Sequence, residues 1–193
     1  MTLSHDPYGF VMRGEVAQCG VEQQVHRLRD PETDLPEKIA GALPLDLLDK
    51  DLLSSSRKMA VVYSAIAAFE NSARKFIQDR LLEECGADWW DKKVPAKVKQ
   101  EATKRKEEEQ QNRYHGARGT SMIYYVQLGD LASIVQNNFD AFDDYIPSIE
   151  WARQIFQAIE RSRNVIMHSG ELCMNDIQRV AMNIRDWLQQ VGG

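Results

Sequence analysis

The sequence predicts an all-α protein: a helical bundle preceded by an N-terminal helical extension. Three observations predict it. Apolar residues recur at three-and-four spacing through most of the chain from Met59 onward. Gly and Pro are sparse, and the prolines fall mostly between the periodic segments rather than inside them. The chain of 193 residues is 43% hydrophobic and 27% charged, the balance of a globular protein with its own core rather than of a disordered one.

Residues 1–56 read as an extension or docking segment and residues 57–193 as the helical domain. Within the extension, Val11 to Leu28 can form one polar helix, and Asp30 to Pro36 carries turn chemistry. Ala42 to Leu53 then supplies a short apolar patch, rich in leucine and suited to docking on a larger surface. Ser54-Ser55-Ser56 offers an N-cap for a long core helix. Its stripe is Met59, Val62, Ile66, Phe69, Ala73, Phe76 and Leu81, and Cys85-Gly86 ends it, because glycine tolerates the left-handed C-cap. The Trp89-Trp90 pair that follows reads as a lid on the core. Ser121 to Asn138 predicts one helix, and Ile149 onward a second, opened by Pro147-Ser148. A last helix runs from about Asn175. No segment reads as a strand.

The formal charge is 24 − 29 = −5, so nucleic-acid binding would need a local basic patch, since phosphate attraction fades within about 8–10 Å. Residues 97–118 supply a candidate. Lys97, Lys99, Lys104, Arg105, Lys106, Arg113 and Arg118 stand against Glu101, Glu107, Glu108 and Glu109, a local balance of 7 − 4 = +3. The plain reading is a solvated helix of mixed charge followed by a loop. The functional reading is an arm that guides RNA phosphates through Lys104, Arg105, Lys106, Arg113 and Arg118. Cys19, Cys85 and Cys173 are far apart and odd in number, as expected of reduced thiols in a cytoplasmic protein. No signal peptide is read at the N-terminus, and the apolar stretch Met59 to Phe69 is too short for a span, which needs about 20 residues. No membrane association is expected.

No metal-ligand spacing, nucleophile elbow or phosphate-cradling glycine loop is present, and His5, His26, His115 and His168 are too scattered to read as a zinc site. No cofactor and no metal are expected. The remaining constellation is Glu160-Arg161-Ser162-Arg163-Asn164-Val165-Ile166-Met167-His168-Ser169-Gly170 at a helix end. At about 100° per residue, Arg161, Asn164 and His168 fall nearly in line, whereas Arg163 stands about 140° from His168. Arg163 can therefore join His168 only if the last turn bends or a second subunit contributes. Arginine is a permanent planar cation suited to phosphate oxygens. Histidine titrates near neutrality and can act as general acid or base. Those are the two groups that RNA self-cleavage needs: a base for the 2′-hydroxyl and a cation for the pentavalent phosphate, without a metal. The plain reading is a pair of cations placed favourably at a helix C-terminus.

Arg163-Asn164-Val165-Ile166-Met167-His168 resembles the signature of the HEPN superfamily, in which an Arg and a polar residue precede a His after a gap of four to six. The stretch from Tyr63 to Arg74 through Trp89-Trp90, and Tyr125 to Leu131, resemble its Swt-type branch. The resemblance covers roughly residues 55–190. It implies a HEPN-like four- to five-helix domain that dimerises and joins two Arg-His motifs across the interface. It further implies a metal-independent endoribonuclease in a toxin–antitoxin, antiviral defence or RNA-processing setting. By position, Arg163 and His168 are the implied catalytic pair and Asn164 their polar partner. Arg161, at a gap of six, also fits the pattern and stays open as the motif arginine. Glu70 and Arg74 match polar positions that orient the motif arginine; read plainly, they are an i,i+4 ion pair of about 0.3–0.5 kcal/mol. The implied partners are an RNA substrate, a second copy of the chain, and an antitoxin or effector protein. The alternative is a non-catalytic HEPN-like module for RNA binding, protein binding or dimerisation.

Overall fold

A computed structural model describes residues 35–111 and 115–192, and Val11 to Leu28 lies outside them. Among the described residues every regular element is helical. They are α1 (Leu35–Ala42), α2 (Lys50–Cys85), α3 (Trp89–Lys93), α4 (Ala96–Gln111), α5 (Leu128–Asn137), α6 (Ile149–Met167) and α7 (Met174–Val191), with short 3-10 turns between them. The chain divides into two compact units between Leu53 and Ser54.

The long helix α2 starts earlier than the serine cluster suggests. Asp49 Oδ1 accepts from the backbone N–H groups of Asp51 and Leu52, at 2.9 and 3.0 Å, and so caps the first turn. Ser54, Ser55 and Ser56 are helical. At the other end, Gly86 takes φ +70, as the stop signal requires. Met59, Val62, Ile66, Phe69, Ala73, Ile77 and Leu81 are the buried face of α2. They pack into a core organised around Trp187, which is fully buried. Its ring lies 4.8 Å from that of Phe156 and 6.0 Å from that of Phe69, and stacks on Trp151 at 5.7 Å. Among the described residues the Trp187 indole N–H has no acceptor, a cost of about 1–3 kcal/mol. Burying some 200 Å² of aromatic surface contributes about 5 kcal/mol, so packing wins. Trp89 is buried and Trp90 packs against the core at its edge, so the tandem tryptophans form the expected lid.

Helix α6 packs between α5 and α7. It begins at Ser148, whose hydroxyl accepts the N–H of Trp151 at 3.1 Å. The single helix expected over 121–138 is broken in two. A 3-10 turn, Met122–Tyr125, is followed by extended backbone at Val126 and Gln127 before α5 begins. Two carbonyls freed there are taken up by guanidiniums: Arg105 donates to Tyr125 O at 2.9 Å and Arg74 to Val126 O at 3.3 Å. These bonds satisfy polar backbone that would otherwise be orphaned next to the core.

Candidate active site

The stripe on α2 next to its core face carries Tyr63, Ala67, Glu70 and Arg74, at the three-and-four spacing that lines up one side of a helix. Glu70 and Arg74 are buried, charged residues, 7% and 9% exposed. Arg74 Nη2 pairs with Glu70 Oε2 at 3.1 Å, and the other carboxylate oxygen, Oε1, faces Arg163 Nη1 at 3.3 Å. One carboxylate thus lies between two guanidiniums, and the trio retains one positive charge. Arg74 also donates to Asn71 Oδ1, and Arg163 to Asn164 Oδ1, both at 3.2 Å. An exposed i,i+4 pair would leave the carboxylate hydrated. Here it is withdrawn from water and bonded on both oxygens, which fixes the arginine planes far more tightly than a surface pair does.

Arg163 reaches this carboxylate from the last turns of α6, and the way α6 ends sets the position of His168. The N–H of Ser169 bonds to Ile166 O at 2.9 Å and that of Gly170 to Val165 O at 2.8 Å, a Schellman termination. The left-handed residue is Ser169, at φ 60, rather than the glycine. Gly170 is required for another reason: a Cβ there would meet Val165 Cγ1 at 2.7 Å and Val165 O at 2.8 Å. His168, the C-cap at φ −97 and ψ 23, has left helical geometry and is exposed. Arg163, Asn164 and His168 line one open cavity of about 560 Å³ with Glu70, Arg74 and Arg118. Arg161, which the ideal helix placed in line with His168, lines a separate groove with Arg179 and Asp176 between α6 and α7. His168 keeps the helical bond from its N–H to Asn164 O at 3.1 Å, and Arg163 joins it at the cavity because its side chain reaches across to Glu70 on α2.

The chain matches the family described as Swt1-like HEPN over residues 64–192. It belongs to that family. No curated protein and no solved structure matches it. The span of the HEPN match runs from α2 to the end of α7 and contains the Glu70–Arg74–Arg163 network, Asn164 and His168. The helical bundle is therefore the HEPN fold, and the cavity sits where its α2 faces the end of α6.

The basic residues expected on a phosphate-guiding arm are dispersed in this HEPN domain. Lys104 is exposed and Lys106 half-buried on α4. Arg105 points inward, spent on Tyr125 O, on Asp130 at 3.5 Å and on Glu101 at 3.8 Å. These contacts leave its side chain largely buried, at 15% exposure. Arg113 lies outside the described residues. Of the four that are described, Arg118 alone lines the cavity. Glu109 holds it there, accepting its backbone N–H at 2.9 Å and its Nε at 3.2 Å. The same carboxylate accepts the Tyr125 hydroxyl at 2.9 Å, and this hydrogen bond raises the Tyr125 pKa above the ordinary phenol value.

The cavity residues that sequence reasoning missed include two tyrosines, Tyr63 and Tyr124. Tyr63 had a legible signal, standing seven residues before Glu70 on the same helix face. Tyr124 had none, because its direction depends on the break between the 3-10 turn and α5. Among the described helices none is long and apolar enough to cross a membrane.

Proposed function

We propose that this HEPN domain is a metal-independent endoribonuclease that acts as a dimer, with Arg163 and His168 as its reacting groups. The observation that carries the reading is that Arg163, Asn164 and His168 share one cavity although an ideal helix would separate Arg163 from His168. His168, exposed at the cavity, takes the proton of the ribose 2′-hydroxyl, and a histidine of the dimer returns one to the 5′-oxygen leaving group. Arg163 meets the charge that develops on the phosphate. Its Nη1 is held by Glu70 and its Nη2 by Asn164, so the guanidinium plane is set before substrate arrives. The products are a 2′,3′-cyclic phosphate and a 5′-hydroxyl, with no redox change and no added reactant.

The setting we assign is toxin–antitoxin, phage defence or RNA processing, with residues 1–56 as the segment that docks an antitoxin or effector. The test is incubation of the purified protein, beside His168→Ala and Arg163→Ala, with total RNA and tRNA in EDTA. Cleavage by the unaltered protein alone, leaving cyclic phosphate ends, is the expected result. Intact RNA in all three reactions, from a protein shown to be a folded dimer, would move the assignment to a binding or dimerisation module.

A further inference from the structure

The cavity holds more than charged groups. Tyr63 and Tyr124 both line it, each residue 39% exposed. Among the described residues neither hydroxyl has a hydrogen-bond partner, so what each presents is chiefly its ring. Tyr124 is held in place from behind. A Cβ on Gly119 would stand 2.6 Å from Tyr124 Cδ2 and 2.8 Å from Cγ, so the ring rests directly on glycine backbone. The loop that carries Gly119 is pinned by Arg118, whose N–H and guanidinium both bond Glu109. Arg118 itself borders the cavity.

From this arrangement we infer that Tyr63 and Tyr124 form a stacking site for an unpaired RNA base, with Arg118 gripping a phosphate beside it. The inference rests on the proposed ribonuclease reading and names its substrate class: single-stranded RNA, with one nucleotide seated in the cavity. The volume of about 560 Å³ is enough for a nucleotide. An aromatic face takes a base only when the base is free of its helix stack, and stacking of this kind is tolerant of sequence. Arg118 supplies a planar donor fork for a phosphate oxygen. Its partner Glu109 offsets its charge but leaves the side chain 55% exposed to incoming ligand.

The test measures binding apart from cleavage, using a fluorescein-labelled 2′-O-methyl RNA oligonucleotide that cannot be cut. Tyr63→Leu and Tyr124→Leu are expected to weaken binding of the single strand about tenfold each. Tyr63→Phe and Tyr124→Phe, which keep the ring and lose only a hydroxyl without a partner, bind as the unaltered protein does. Arg118→Gln weakens binding and flattens its dependence on salt. A duplex of the same sequence binds weakly and ignores the tyrosine changes. Equal affinity of the leucine variants and the unaltered protein overturns the stacking site, as does equal affinity for duplex and single strand. Cleavage is read in parallel on unmodified RNA. Tyrosine-dependent binding without cutting keeps this inference and removes the ribonuclease reading. Cutting with an unchanged KM in the leucine variants does the reverse.

Discussion

Glu70 has two basic partners and is almost wholly withdrawn from water. Replacing it by Gln removes the charge between Arg74 and Arg163 and leaves two guanidiniums facing a neutral amide. We expect Glu70→Gln to destabilise the protein by about 2–3 kcal/mol, below the cost of a fully buried broken pair because Arg163 is partly exposed. Urea unfolding measures this, and an unchanged midpoint would show that the carboxylate does not hold the two arginines. Spacing alone shows Glu70 and Arg74 one turn apart, and only the family resemblance implied that they orient the motif arginine. That Glu70 also meets Arg163, 93 residues away, is a fact of packing that no local pattern encodes. Arg105 shows the converse, since its basic, charge-rich neighbourhood suggested phosphate contact, whereas its guanidinium satisfies a carbonyl at a break in the next element.

At the scale of elements, the end of α6 places His168, and two substitutions there should act in opposite directions. Ser169→Gly relieves a left-handed residue that carries a Cβ and should stabilise by about 1 kcal/mol. Gly170→Ala drives a methyl into Val165 and should destabilise while displacing His168. Thermal melts read the stability, and a fall in cleavage with Gly170→Ala beyond what unfolding explains would read the displacement. A second element-level device is the contact of Tyr125 with Glu109. Because the folded phenol titrates above its ordinary value, the folded state keeps a proton that the unfolded chain has already lost at high pH. The contact therefore stabilises fully below about pH 10 and is lost as pH rises through the folded pKa. Tyr125→Phe should abolish that part of the alkaline fall in stability, measured as unfolding midpoint against pH. An unaltered alkaline profile in Tyr125→Phe would assign the fall elsewhere.

For the whole molecule, the proposed dimer makes a direct prediction by complementation. Mixing inactive Arg163→Ala with inactive His168→Ala and allowing exchange should restore a fraction of cleavage, because a mixed dimer brings one Arg163 and one His168 to the shared interface. Sedimentation at working concentration checks the assembly. A monomer that cleaves would place the complete site within one chain. Phe69→Ala tests the scaffold independently. It removes a ring that touches both Phe156 and Trp187 and should cost about 3–5 kcal/mol, with loss of every function together.

The sequence by itself determined the all-helical fold, the buried stripe of α2, the glycine stop at its end, the serine that opens α6 and the Arg-x-x-x-x-His motif. These are local matters, set by helical periodicity, by capping chemistry and by which residues accept a given backbone angle. The break between the Met122–Tyr125 turn and α5, and the joining of Glu70, Arg163, Arg118 and two tyrosines around one cavity, were decided only by tertiary structure. Each depends on partners distant in sequence: freed carbonyls that must find a guanidinium, and a buried carboxylate on α2 that must find a second cation on α6. A periodic pattern records which face of a helix is buried. It does not record what the polar side chains beside that face will meet.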